Sequence, residues 1–249
     1  MAGFSIEVKN LRKQFNGREV LCGIDFNCCA GGSIAVLGES GTGKSVMMRI
    51  IGMMMDADSG SVKIDNREIV GISERKMEKM MRNVGFLFQN SALFEHLSVW
   101  ENIMFYQLFI QNNKNDAKEK AAEIMSVLDI PESVMYLRPT EISGGLCRRV
   151  ALARTIIKRP SLILLDEPTT GLDPIVCESV NSVINQTKKY TGATLITITH
   201  DLKSALQIAD KIIILRNGKI LWQSTDSVRD IFNCKDEYVK RYVSAVNIW

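Results

Sequence analysis

The chain has 249 residues, 46% of them apolar and 24% charged, with a formal net charge of +3. That length holds one large domain or two small ones and buries a substantial core. So mild a basic excess argues against a dedicated nucleic-acid binder, which needs a concentrated basic patch, and no apolar run reaches the roughly 18 residues of a membrane-spanning helix.

The opening "MAGFSIEVKN" lacks a basic stretch followed by an apolar one, so no signal peptide is expected. Six cysteines, the neighbours Cys28 and Cys29 among them, form no CxxC pair and no regular framework. A reduced, cytosolic chain is the expectation.

In chain order, Phe4, Ile6 and Val8 alternate with polar residues, as do Ile24, Phe26 and Cys28, which predicts two half-exposed strands. "IAVLG" at 34–38 is the first of five short, nearly continuous apolar runs. The others lie at 84–88, 162–166, 194–199 and 211–216. Such runs typify parallel strands buried on both faces. Asn217-Gly218, set between two strand patterns, signals a hairpin. Helical spacing of apolar residues predicts helices over 44–55, 73–81, 116–128, 146–157, 174–190 and 202–209. The sum is an α/β domain with a mainly helical insertion over about 90–160.

Near the end, Tyr238, Val239, Tyr242, Val243 and Val246 form one stripe of an amphipathic helix. Asp236 and Glu237 suit its N-terminus, and Lys240 and Arg241 face away from the stripe. So short a helix is marginal alone, so it docks either on its own core or on a partner.

The strongest chemical signal is "GESGTGKS" at 38–45, which matches G-x-x-x-x-G-K-[ST] between a strand and a helix. Gly38, Glu39, Ser40, Gly41, Thr42 and Gly43 form a loop whose amides turn inward around phosphate oxygens, aided by the helix N-terminus. Lys44 neutralises β- and γ-phosphate charge, and the Ser45 hydroxyl can ligate Mg²⁺. "LILLDEP" then places Asp166 at the C-terminal end of an apolar strand, where it can hold the hydration shell of the metal. Glu167 can orient or deprotonate an attacking water. His200, at the end of "TLITIT", can donate to a γ-phosphate or to the neighbourhood of that water.

"EISGGLCRRVALART" poses a separate question, because Gly144 and Gly145 sit behind Ser143 at the mouth of a helix. Glycine costs a helix about 1 kcal/mol relative to alanine. The backbone there must approach something closely or expose its amides, and no neighbour in sequence looks like a ligand site.

Taken in order, these motifs resemble the ABC-transporter ATPases over nearly the whole chain: the Walker A loop at 38–45, Gln89 after "FLF", the signature "ISGGL", Walker B "LILLDE", Asp173 in "GLD", and the switch residue His200. The resemblance implies an α/β ABC ATPase with a RecA-like parallel-sheet core, an antiparallel β subdomain and a helical subdomain carrying the signature. Residues 1–89 and 161–225 would form the core with its β subdomain, 90–160 the helical subdomain, and 226–249 a C-terminal helical tail. It implies ATP hydrolysis with Mg²⁺, catalytic roles for Lys44, Glu167 and His200, and metal contacts from Ser45, Gln89 and, through water, Asp166. Phe15 would stack on adenine. In the family, the signature serine and glycines face ATP held by the other subunit of a head-to-tail dimer. Ser143, Gly144, Gly145 and Asp173 would act in this way in trans, which accounts for the two glycines. Leu146 stands where glutamine is usual, so one polar contact near ribose or phosphate is absent.

Within the family, 87–105 and "ISGGLCRRVALAR" look most like the ATPases of Mla/Mce-type phospholipid transporters. That resemblance implies three partners: a second copy of the chain, a separate polytopic permease at the cytoplasmic face of the inner membrane, and a lipid-binding accessory subunit. Ala92, Leu93, Phe94, Leu97, Val99 and Trp100 would line the groove that receives a permease helix. An amino-acid importer, an iron–sulfur assembly scaffold and a silent interaction module are the alternatives. Intact Lys44, Asp166, Glu167 and His200 argue against the last. Met47, Met48, Met53, Met54 and Met55 read as core filler rather than metal ligands, and Cys147 as a small apolar residue.

Overall fold

Two sheets organise residues 3–244, the part of the chain that the computed structural model describes. The strands are β1 (Ile6–Phe15), β2 (Arg18–Cys28), β3 (Ser33–Leu37), β4 (Ser59–Ile64), β5 (Arg67–Glu68), β6 (Val84–Leu87), β7 (Leu162–Asp166), β8 (Thr194–Ile198), β9 (Lys211–Arg216) and β10 (Lys219–Gln223). The α-helices are α1 (Lys44–Ile51), α2 (Glu74–Met81), α3 (Val99–Ile103), α4 (Ala117–Val127), α5 (Gly144–Ile156), α6 (Pro174–Thr191), α7 (Leu202–Ile208) and α8 (Glu237–Ser244). The larger sheet has the order β10-β9-β3-β8-β7-β6, and the smaller one β2-β1-β4-β5.

The five apolar runs are the parallel strands, and their lack of alternation has a direct cause. On β3, Ile34 and Val36 pack with Met47, Met48 and Ile51 of α1 and with Val8, Leu21 and Ile24 of the small sheet. Ala35 and Leu37 point the other way, against Leu202 and Ala205 of α7 and against Val239. Leu164 on β7 joins the first cluster, while Ile163 and Leu165 join a third built on α5 and α6. Both faces are buried, so both sets of side chains must be apolar.

Local chemistry sets the ends of several elements. The predicted hairpin at Asn217-Gly218 forms, with positive φ at both residues and Arg216 opposite Lys219. An equivalent turn at Asp65-Asn66, also with positive φ at both positions, joins β4 to β5. That pair carries the same hairpin chemistry as Asn-Gly, although it does not stand between two apolar runs. The helix predicted over 44–55 is shorter, because α1 stops at Ile51. The Gly52 amide returns to the Met48 carbonyl, and Met53 takes φ of +58°. Met47, Met48 and Met53 are core residues as expected, whereas Met54 is exposed. Phe4 lies outside β1 and instead donates its amide to Ser161.

Between β6 and β7 the chain is helical, with α3, a π-helical turn (Tyr106–Ile110), α4 and α5 around one apolar cluster. Val99 is buried in that cluster and Leu97 is buried as well, which corrects their expected place in a surface groove. They serve the interior, and only Leu93, Phe94 and Trp100 of the six keep part of a large apolar side chain at the surface.

The C-terminal stripe docks in cis. Val239 on α8 is fully buried with Ala35, Leu37, Ile212 and Ile214, and Tyr238, Tyr242 and Val243 pack beside it. Val246, the last residue of the predicted stripe, lies outside the described residues.

Candidate functional site

The C-terminal ends of β3, β7 and β8 open onto a cavity of about 500 Å³. Ligands of open α/β sheets bind at this end of parallel strands. Phe15, Gly38, Ser40, Gly41, Gly43, Lys44, Ser45, Gln89, Asp166, Glu167 and His200 all line it, so most of the predicted site residues are brought together. Val20, Val46, Thr170 and Ile198 complete the lining and were not anticipated. Phe15 ends β1 and is 42% exposed, as a stacking surface requires.

Two predicted loop residues turn elsewhere. Thr42 donates its hydroxyl to the Glu39 carbonyl inside the loop, and the Glu39 carboxylate accepts from Tyr238 rather than lining the cavity. Their contribution to a ligand is therefore confined to the backbone.

The loop is closed by its own lysine. Lys44 Nζ donates to the Gly38 carbonyl at 2.7 Å and to the Glu39 carbonyl at 2.8 Å. Gly43 (φ +100°) has no room for a side chain: a Cβ there would sit 2.8 Å from the Val20 carbonyl oxygen. Burial lowers the pKa of Lys44, and the charges of Glu167, Asp166 and Glu39 partly hold it up. Asp166 shows the converse. Burial and the neighbouring Glu167 raise it, while Arg49, a hydrogen bond with Ser45 and Lys44 act in the other direction. A desolvated carboxylate with a neighbouring carboxylate and too few cations is a place that favours added positive charge.

Glu167 leaves the end of β7 with φ of +50°, uncommon for a residue with a side chain. Its amide donates to the Ile198 carbonyl on β8 at 2.9 Å. One carboxylate oxygen, Oε2, accepts from the Thr170 hydroxyl at 2.7 Å and lies 2.8 Å from His200 Nδ1. With Oε2 engaged twice, Oε1 is the oxygen left for a water. The His200 side chain is 61% exposed, and that of Glu167 only 14%.

An oxygen donor set of Ser45 hydroxyl, Gln89 amide and Asp166 carboxylate suits a hard cation such as Mg²⁺, which is held by one or two carboxylates plus phosphate and water. Among the described residues no cluster of three His, Cys, Asp or Glu side chains could hold a metal. A cation here would depend on ligand phosphates to complete its shell.

Ser143, Gly144, Gly145 and Asp173 do not join this cavity. Ser143 caps α5 by accepting from the Leu146 amide, and Asp173 caps α6 by accepting from the amides of Ile175 and Val176. The reading that nothing local explains the glycines is half corrected. Gly145 is buried, and a Cβ there would fall 2.5 Å from Val176 Cγ1 on α6, so close packing of α5 on α6 demands glycine. Gly144 is exposed, and a Cβ there would meet only Leu172, at an ordinary 3.5 Å. For this glycine no packing reason exists among the described residues. Arg148, one turn into α5, donates to Phe88 O, Ser91 Oγ and Thr170 O, tying the signature helix to the segments that bear Gln89 and Glu167.

Known proteins resemble this chain in sequence and in fold. A family model described as ABC transporter matches residues 21–170. The lipoprotein-releasing system ATP-binding protein LolD of Porphyromonas gingivalis is 34% identical over 86% of this chain and 97% of its own length. A probable amino-acid ABC transporter ATP-binding protein of Haemophilus influenzae is 34% identical over 98% of this chain and 96% of its own. The spermidine/putrescine import ATP-binding protein PotA of Photobacterium profundum is 29% identical over 98% of this chain, which spans only 64% of that relative's length. Among solved structures, the dimeric ATP-binding cassette MJ0796, in a post-hydrolysis state bound to ADP and Pi, superposes with a TM-score of 0.78 at 28% identity. That match covers 88% of this chain and 98% of the cassette.

Proposed function

The chain belongs to the ABC transporter family and has the ABC ATPase fold, and from that premise we propose that it is the ATP-hydrolysing subunit of a transporter. The observation that carries the reading is the convergence of Lys44, Ser45, Asp166, Glu167 and His200 on one cavity at the ends of β3, β7 and β8.

The loop amides of 38–43 and the N-terminus of α1 bind the phosphates, and Phe15 supports the base. Lys44 leaves the Gly38 and Glu39 carbonyls for the β- and γ-phosphates, a better partner for a buried ammonium. Ser45, Gln89 and, through water, Asp166 would hold Mg²⁺, which would supply positive charge to the phosphates. Glu167 orients a water through Oε1 and takes its proton, while His200 and Thr170 fix the other oxygen. His200, largely exposed, is free to reach the γ-phosphate through its remaining nitrogen.

A second copy of the chain completes the site. Ser143 and Gly144 offer a hydroxyl and amides at the exposed N-terminus of α5, an anion site with no ligand of its own in the chain, and Asp173 lies at the start of α6. The proposed division is a nucleotide-binding core with its β subdomain (1–89 and 161–225), a helical subdomain (90–160) and a C-terminal tail (226–249). No helix among the described residues is long and apolar enough to cross a membrane. The proposed partner for transport is a separate permease at the cytoplasmic face. Leu93, Phe94 and Trp100 are the side chains offered to it.

The finer reading is phospholipid transport with a lipid-binding subunit, supported by the Mla/Mce-like character of 87–105 and of the signature segment. The relatives found carry other names, for polyamines, amino acids and lipoprotein release. Identifying the membrane protein and lipids that co-purify with the chain decides among these, and a polyamine or amino-acid permease overturns the lipid assignment. For the chemistry, Glu167→Gln is expected to bind ATP normally, lose nearly all hydrolysis and prolong the ATP-bound dimer. Wild-type turnover by that variant would remove Glu167 from its role.

A further inference from the structure

Helix α8 lies far along the chain from the phosphate loop, yet two of its side chains reach both sides of the cavity. The Tyr242 hydroxyl donates to the backbone carbonyl of His200 at 2.7 Å. One turn earlier, the Tyr238 hydroxyl donates to Glu39 Oε1 at 3.0 Å, and the Arg216 guanidinium covers the Tyr238 ring at 4.0 Å. Between them Val239 is fully buried in the cluster that contains Ala35 and Leu37 of β3. The helix starts on Asp236, whose carboxylate accepts from the amides of Tyr238 and Val239. Its position is thus fixed by an apolar anchor and a cap, and the tyrosines project from a rigid base.

We propose, resting on the ATPase reading above, that Tyr242 and Tyr238 are positioning residues for hydrolysis, holding His200 and the phosphate loop in register across the cavity. His200 follows β8, whose register with β7 is set by backbone pairing up to Asp166 and Ile198. Beyond it, Asp201 caps α7 by accepting from Lys203 and Ser204. The peptide between His200 and Asp201 is the joint between these two fixed parts, and Tyr242 holds its carbonyl. Rotation of that peptide would move the ring whose Nδ1 meets Glu167 Oε2. On the other side, Glu39 belongs to the loop through a carbonyl that accepts from Lys44 and Thr42. Tyr238 keeps the Glu39 carboxylate turned away from the place where phosphate charge gathers, where like charge would oppose binding. A helix with no catalytic motif thereby sets the geometry of two motifs that have one.

The test uses the full chain and compares steady-state Mg-ATP hydrolysis and thermal unfolding for Tyr242→Phe, Tyr242→Ala, Tyr238→Phe and Glu167→Gln. Tyr242→Phe keeps the ring and loses one hydrogen bond. Its kcat is expected to fall about five-fold with KM and Tm close to wild type, the size of one lost hydrogen bond. Tyr242→Ala is expected to lower both Tm and kcat, with phenylalanine restoring the first and not the second. Tyr238→Phe is expected to raise KM about three-fold with kcat little changed, as expected when a carboxylate is freed near bound phosphate. Wild-type kcat in Tyr242→Phe, beside an inactive Glu167→Gln, overturns the positioning role alone. So does a fall in kcat that phenylalanine restores together with Tm. Wild-type turnover in Glu167→Gln removes Glu167 from its role and overturns the positioning of its His200 partner with it, whereas no Mg-ATP hydrolysis by the unaltered chain overturns the ATPase reading itself.

Discussion

His200 Nδ1 lies 2.8 Å from Glu167 Oε2, so the end of β8 reports directly on the carboxylate at the end of β7. The Thr170 hydroxyl donates to the same oxygen at 2.7 Å. A carboxylate held by one oxygen through two neighbours can rotate little, and the free oxygen keeps one direction for water. Replacing Thr170 by valine preserves shape and removes the donor. Turnover of Thr170→Val is expected to fall about five- to ten-fold with nucleotide affinity unchanged. Steady-state hydrolysis beside equilibrium ATP binding checks this. Wild-type kcat would show that His200 alone suffices to orient Glu167.

The two signature glycines are expected to separate by assay. Gly145→Ala forces a methyl toward Val176 Cγ1, with 2.5 Å available and a β-branched neighbour that cannot swing away. A loss of about 1–3 kcal/mol is expected by urea denaturation of the monomer. Gly144→Ala meets nothing closer than 3.5 Å and is expected to leave stability unchanged or slightly raised. Gly144→Asp is expected to fold equally well and to abolish dimer-dependent hydrolysis, because it brings negative charge to the proposed anion site. Equal loss of stability in the Gly144 and Gly145 alanine variants would contradict the packing difference.

The cap of α3 makes a pH-dependent contribution. Glu101 Oε2 accepts from the Ser98 amide at 2.9 Å and from its hydroxyl. The hydroxyl bond, then the amide bond, lower the carboxyl below its ordinary value, and burial opposes them more weakly. A folded-state value below the unfolded one stabilises the fold above the unfolded value, about 4.3. That stabilisation is lost as pH falls through the lower folded value. Glu101→Ala is expected to cost about 1 kcal/mol at pH 7, and its difference from wild type is expected to shrink below about pH 4. Urea midpoints across pH measure it, and a difference constant down to pH 3 would assign the effect to something other than the ionised carboxylate.

Much of this architecture is legible from residue order alone, for reasons the packing makes plain. β3, β7, β8 and β9 are buried on both faces, so each writes an apolar run that needs no partner to be recognised. Ser45, Asp166 and His200 follow such runs and inherit their place at the cavity. What is not legible is what depends on distant chain. Nothing near Tyr238 or Tyr242 hints at Glu39 or His200, because those contacts span 199 and 42 positions. Gly145 looks like an exposed amide until α6 is seen beside it. The length of α1 is misread because methionines continue its apolar spacing past Gly52, where the backbone has already turned. β5, two charged residues long, has no pattern to detect.

The order of strands in the larger sheet has a consequence in time. β3 lies between β8 and β9, and Gly31, at its threshold, bonds to Thr194, 163 positions later. At about 5–20 residues per second, a ribosome needs roughly 10 to 30 s to make the chain between them. β1, β2 and β4 have their partners early, so the antiparallel sheet can form while synthesis continues. β3 meanwhile waits with both edges open and two apolar faces, a template for wrong pairing. The strand that carries the phosphate loop is thus the one most in need of shielding while the chain is being made. Slowing translation after residue 64, or depleting chaperones, is where its yield is most vulnerable.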